Sequence, residues 1–213
     1  MVPAKYQKLE DAIRHLKIGD IILVHTRREP ISRFIRYSLK SYWEHVALVF
    51  ETPPKGDINL HDSVFIVETL PWKAIEIHKL NTLLKVKNRY IIGIKRVKIL
   101  TEYERNRARN IFLSSVGINY NWSTIQNLLA KIYHRLWFLK QLNILDKYIC
   151  TTFVQNSIYR AALPAKRHKT IFAPQKDYLN QMLYLTFEDI AASDSTEWLY
   201  RPIEYEKFLE KRS

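Results

Sequence analysis

The hydrophobic period of the chain changes partway along, and this switch restricts the possible folds more than any other feature. Before Thr101 the apolar residues come in short runs, Asp20–Thr26, His45–Glu51, Val64–Leu70, Ala74–His78 and Tyr90–Lys98, rich in Ile, Val and aromatic side chains and separated by polar or proline-containing links. Such runs suit a pleated surface, so about five antiparallel strands are expected. Pro53-Pro54-Lys55-Gly56-Asp57 carries the densest turn signal and reads as a hairpin-type loop. From Thr101 the spacing becomes helical. Thr101-Glu102-Tyr103-Glu104 is a capping box, and Ala108, Ile111, Phe112 and Ser115 follow until Gly117, which predicts a helix over roughly 102–116. Ile125, Leu128, Leu129, Ile132 and Leu136 mark one face of a second helix. A third begins near Cys150, where Phe153, Val154, Ser157, Ile158 and Ala161 continue one stripe and Leu163-Pro164 provides the stop. Strands followed by helices predict an α+β fold, a curved antiparallel sheet packed against the Cys150 helix, with the helices of the second half on one side.

With 213 residues, 47% of them hydrophobic and 26% charged, the chain can bury one sizeable core, so a single domain over 1–213 is expected. One cysteine excludes an intramolecular disulfide and the multi-cysteine zinc sites, which fits a reducing compartment. Gly19, Gly56, Gly93 and Gly117 are too scattered to write a Walker or dinucleotide loop, and no cofactor or metal is expected. The amino-terminal residues contain no apolar stretch of signal-peptide type, and no run is long enough to span a bilayer, so neither a signal peptide nor a transmembrane segment is expected.

The net charge of +13 is uneven, because residues 177–213 hold eight acids against four bases. A basic body attracts nucleic acid, an anionic membrane or an acidic substrate, and charge alone does not choose among them. Arg27, Arg28, Arg33, Arg36 and Lys40 form one basic cluster and Lys166, Arg167, His168 and Lys169 another, which keeps a catalytically silent binding module as an alternative. Trp122, Tyr133, Trp137 and Phe138 beside Lys131, Arg135 and Lys140 mix aromatic and basic groups as an interfacial helix does, though packing against the core accounts for them as well.

Chemistry centres on Cys150. A cysteine that opens a helix sits where the free amides and the helix dipole favour a thiolate, and the first-turn N–H groups near Thr151 and Thr152 can meet an oxyanion. A lone cysteine on an apolar stripe is also a small buried hydrophobe, so the reading needs partners. His45 opens the apolar run Val46-Ala47-Leu48-Val49-Phe50, and Glu68 ends the run Val64-Phe65-Ile66-Val67, where a carboxylate loses solvation unless paired. A general base and an acid that orients it are the roles these two can fill.

Together these segments resemble the permuted NlpC-type papain-like family, in particular its YiiX-like branch and related poxvirus proteins. The resemblance rests on the Gly-Asp strand Leu16-Lys17-Ile18-Gly19-Asp20-Ile21-Ile22, the histidine strand Trp43-Glu44-His45-Val46-Ala47-Leu48-Val49, the pair Val67-Glu68, the Gly-x-x-Tyr segment Gly117-Ile118-Asn119-Tyr120 and the helix start Tyr148-Ile149-Cys150-Thr151-Thr152-Phe153-Val154. It covers roughly residues 16–175, leaving 176–213 as a carboxy-terminal extension. It implies a circularly permuted papain-like fold, an antiparallel sheet or half-barrel against the nucleophile helix. It further implies a thiol hydrolase with Cys150 as nucleophile, His45 as base and Glu68 as orienting acid, and with Thr151 and Tyr120 at the oxyanion and substrate positions. The expected substrate is a peptide, an acyl amide or an ester, with a lipid-directed acyltransferase as the neighbouring possibility. A cytoplasmic or virion-associated setting is expected.

Overall fold

The computed structural model describes residues 3–53, 63–69, 74–86, 88–118, 150–162, 172 and 185–212. In chain order the elements are α1 (Leu9–Arg14), β1 (Ile21–Thr26), α2 (Pro30–Leu39), β2 (His45–Glu51), β3 (Phe65–Thr69), β4 (Ile75–Lys79), the single turn α3 (Asn81–Leu84), β5 (Tyr90–Val97), α4 (Glu102–Ser115), α5 (Cys150–Ala162), α6 (Phe187–Ala192), β6 (Thr196–Tyr200) and α7 (Ile203–Glu210). The fold is α+β. Its strands form one six-stranded antiparallel sheet in the order β4-β3-β2-β1-β5-β6.

The five expected strands are present within a residue or two of their predicted ends. A sixth was not foreseen: β6 pairs with β5 through Lys95 with Trp198 and Val97 with Thr196, and it comes from the tail that the sequence reading set aside as an extension. Its run Thr-Glu-Trp-Leu-Tyr is short and carries an acid in an acid-rich tail, so it lacks the apolar signature of the other strands. The helix expected over 102–116 forms as α4, with the Thr101 hydroxyl accepting from the Glu104 amide and the Glu104 carboxylate accepting from the Thr101 amide. The second expected helix, at 125–136, lies outside the described residues.

Strand alternation divides the core in two. Ile21, Leu23, Val46, Leu48 and Val67 pack with Ala108 and Phe112 of α4 and with Phe153, Val154 and Ile158 of α5, and Ile190 and Tyr205 join them from the carboxy-terminal helices. Ile22, Val24, Ala47, Val49, Ile66 and Ile94 instead meet Ala12, Ile13 and Leu16 from α1 and its exit. Each sheet face is thus covered, and α5 lies against α4, β2 and β3.

The Gly-Asp segment has a structural task. Asp20, fully buried, accepts from the Lys17 amide at 2.8 Å, from Arg96 Nε at 2.9 Å and Nη2 at 2.6 Å, and from Arg105 Nη1 at 3.4 Å. Gly19 before it has φ of +80°, a conformation that costs glycine little and other residues more. The network ties the start of β1 to β5 and α4. Gly93 answers a different demand: a Cβ there would lie 2.8 Å from Cη2 of Trp43, so the indole rests directly against the β5 backbone.

Near the other sheet edge Lys95, almost completely buried, donates to the carbonyls of Ile190 at 3.1 Å, Ala191, and Ser193 at 3.4 Å, with its ammonium 4.8 Å from the Trp198 ring centroid. It thereby fills the unpaired carbonyl end of α6. Burial pushes its pKa from 10.5 down to about 7.

Candidate active site

Cys150 is the first residue of α5 and only 5% exposed. The helix forms because the stripe from Cys150 to Ala161 buries Phe153, Val154 and Ile158 against the sheet and α4, and this packing places the helix start beside β2. His45 is the first residue of β2, paired with Val24 of β1. The Cys150 thiol lies close enough to the His45 ring to favour its charged form. His45 Nε2 meets Glu68 Oε2, which leaves Nδ1 as the nitrogen for the thiol.

The sheet register explains why these groups meet. Glu68 stands opposite Ala47 on β2, so His45, two residues away, is its diagonal neighbour on the same face. On the other side Glu68 stands opposite Glu76, and His78 is again the diagonal neighbour. His45, Glu68 and His78 form an oblique row across β2, β3 and β4, with His78 Nε2 2.6 Å from Glu68 Oε1. Both oxygens of a carboxylate that is 2% exposed are therefore engaged by imidazoles.

The electrostatics follow from this row. Burial opposes a charged imidazole at His45, but the Glu68 carboxylate and the Cys150 thiol outweigh it and hold the His45 pKa well above the usual 6.5. Burial likewise opposes charge on Glu68, and the attraction and hydrogen bonds of His45 and His78 bring its pKa from 4.5 down to about 2. A positive His45 between a carboxylate and a thiol is suited to hold a thiolate and to return its proton during reaction.

The structure thus places Cys150, His45 and Glu68 beside one another. Thr151, 2% exposed, is the second residue of α5, so its amide has no acceptor four residues earlier within the helix. Tyr120 and the cluster Lys166–Lys169 lie outside the described residues, as does the aromatic-basic stretch 122–140. Sequence reasoning missed His78. Its signal is the register of β3 with β4, which no local sequence pattern announces. Of the first basic cluster, Arg27 is paired with Glu204 at 2.7 Å and Arg36 with Glu44 at 2.7 Å, so part of that charge is spent inside the fold.

Among the described residues no three His, Cys, Asp or Glu side chains are gathered as a metal site, and no helix is long and apolar enough to cross a membrane. The chain is similar in fold to the crystal structure of the metalloprotein YiiX from Escherichia coli O157:H7, with a TM-score of 0.52 and 12% identity over 87% of this chain and 97% of that one. No curated protein matches the sequence. The family model described as permuted papain-like amidase enzyme, YaeF/YiiX, C92 family, matches residues 15–184. With its helix-borne cysteine late in the chain and its histidine strand early, the chain belongs to the permuted papain-like amidase family, a family of cysteine hydrolase type.

Proposed function

We propose that the protein cleaves an amide bond of a peptide or N-acyl amino acid, or an ester, through an acyl-enzyme on Cys150. The observation that carries this reading is the His45 ring, hydrogen-bonded to Glu68 and interacting with the Cys150 thiol. His45 takes the thiol proton, and the sulfur attacks the substrate carbonyl carbon. The oxygen that becomes negative is met by the first turn of α5, with the amide of Thr151 as a donor. When the tetrahedral intermediate collapses, the proton on His45 passes to the leaving nitrogen or oxygen and a thioester remains. A water or a second acceptor then gives its proton to His45, attacks the thioester and frees the thiol. Glu68 keeps Nε2 of His45 occupied throughout, so Nδ1 faces the sulfur. Hydrolase and acyltransferase share the first half of this sequence and differ only in the acceptor.

The test is intact-protein mass spectrometry after incubation with a panel of activated esters and N-acyl amino acid amides. A mass increase equal to the acyl group, mapped to the Cys150 peptide and absent from Cys150→Ser, is the expected result. Turnover undiminished in Cys150→Ala would overturn the reading.

A further inference from the structure

On α2, Arg33 and Tyr37 stand at i and i+4 and so share one helix face, Lys40 at the left-handed end of the helix lines the same groove, and all three are exposed, Tyr37 to 82%. That face forms one wall of a groove of about 710 Å³. Its other wall comes from Phe208 and Arg212 at the end of the chain, and its floor from His25 and Tyr42. The aromatic groups are a packed set rather than scattered rings. Tyr42 stacks on His25 at 4.3 Å between centroids and lies 5.2 Å from Phe208, whose ring in turn has the Arg212 guanidinium 5.1 Å from its centroid. Arg212 also donates to the Lys40 carbonyl at 2.9 Å, which fixes the two cationic walls relative to each other.

The charge in this groove is unbalanced. Arg36 is already committed to Glu44 and to the Thr26 carbonyl, but among the described residues Arg33 and Lys40 have no acidic partner and no carboxylate lines the groove. Burial is the main reason the pKa of His25 falls to about 4, and Arg36 and Arg27 push it in the same direction. Its Nδ1 is occupied by the Tyr42 carbonyl at 2.7 Å, so the neutral ring donates there and serves as part of the apolar floor. An exposed tyrosine between two unpaired cations, over stacked rings, is a surface that water satisfies poorly and that an anion attached to an apolar body satisfies well.

We propose that this groove binds a phosphate ester carried on an aromatic or acyl body, with the anion between Arg33, Lys40 and Arg212 and the body against Tyr37, Tyr42 and Phe208. The site is independent of thiol chemistry, and the same phosphate chemistry is offered by a small soluble ester and by a phosphomonoester lipid headgroup.

Calorimetric titration of the full chain with inorganic phosphate and with phenyl phosphate, alongside sedimentation with phosphatidylcholine vesicles containing or lacking phosphatidic acid, separates these sources. Two exposed pairs are replaced in parallel, Arg33→Ser with Lys40→Ser in the groove and Lys8→Ser with Arg14→Ser at α1, so that each variant loses the same charge. The proposal expects phenyl phosphate to bind more tightly than inorganic phosphate, the groove variant to lose tenfold or more in affinity, the α1 variant to change less than twofold, and Tyr37→Ser to erase the preference for the phenyl ester. Vesicle binding that needs phosphatidic acid and is lost in the groove variant, with phenyl phosphate weak, assigns the lipid as source. The absence of binding in every arm, or equal losses in the two charge variants, overturns the proposal.

Discussion

His78 Nε2 lies 2.6 Å from Glu68 Oε1, so the carboxylate that meets His45 on one oxygen is held on the other by a second imidazole. A carboxylate fixed at both oxygens cannot rotate away from His45, and His78 is therefore a positioning residue that acts through Glu68. Glu68→Gln should slow alkylation of Cys150 at pH 6 by roughly 10²-fold, the scale of a lost acid-base partner. His78→Ala should slow it less, and His78→Asn should restore part of the rate because its amide can still donate to Oε1. Stopped-flow alkylation across pH separates these cases from simple loss of fold, since a purely structural defect would leave the shape of the pH profile unchanged.

The same row predicts an acid limit to stability. Glu68 has a folded pKa depressed to about 2 from 4.5, so its contribution is present above pH 4.5 and is lost as the pH falls toward 2. Urea midpoints of wild type should fall through that window more steeply than those of Glu68→Gln. Equal slopes would show that the carboxylate is not held by its two histidines.

Asp20→Asn removes the negative charge that Arg96 and Arg105 share in the interior. Leaving those guanidinium groups without it should cost about 3–5 kcal/mol, the usual cost of breaking a buried pair. Chemical denaturation measures the loss, and a change below about 1 kcal/mol would mean that water compensates the arginines.

Lys95 predicts a pH dependence of the same sign as that of Glu68, displaced to the alkaline range. Between about pH 7 and its ordinary value of 10.5 the unfolded chain holds a proton that the folded chain has released, so stability rises with pH across that window. The rise should be reduced in Lys95→Met, which should also be less stable at pH 10 by about 1–3 kcal/mol because the carbonyls of Ile190 and Ala191 lose the Lys95 donor. Paired urea titrations of the two proteins at pH 7 and pH 10 give both quantities.

How much of this was legible in the sequence depends on the range of the interaction concerned. His45–Glu51 and Tyr90–Val97 announce themselves because an apolar run between polar links is a local signal, and α4 does so through its capping box. The order of His45, Glu68 and Cys150 was legible only because it matches a known family pattern. The sequence is silent on His78, since it meets Glu68 through the register of β3 with β4, and register is not a local signal. β6 was hidden for a related reason. Its alternation is brief, and it becomes a strand only because the exposed edge of β5 pairs with it.

The most direct test of the central claim is the pH profile of Cys150 alkylation by iodoacetamide, followed by mass spectrometry, in wild type and His45→Ala. The account predicts fast labelling of wild type below about pH 7 and much slower labelling of His45→Ala, because the imidazole is the group that takes the thiol proton. An inert Cys150, or identical profiles in the two proteins, would contradict it.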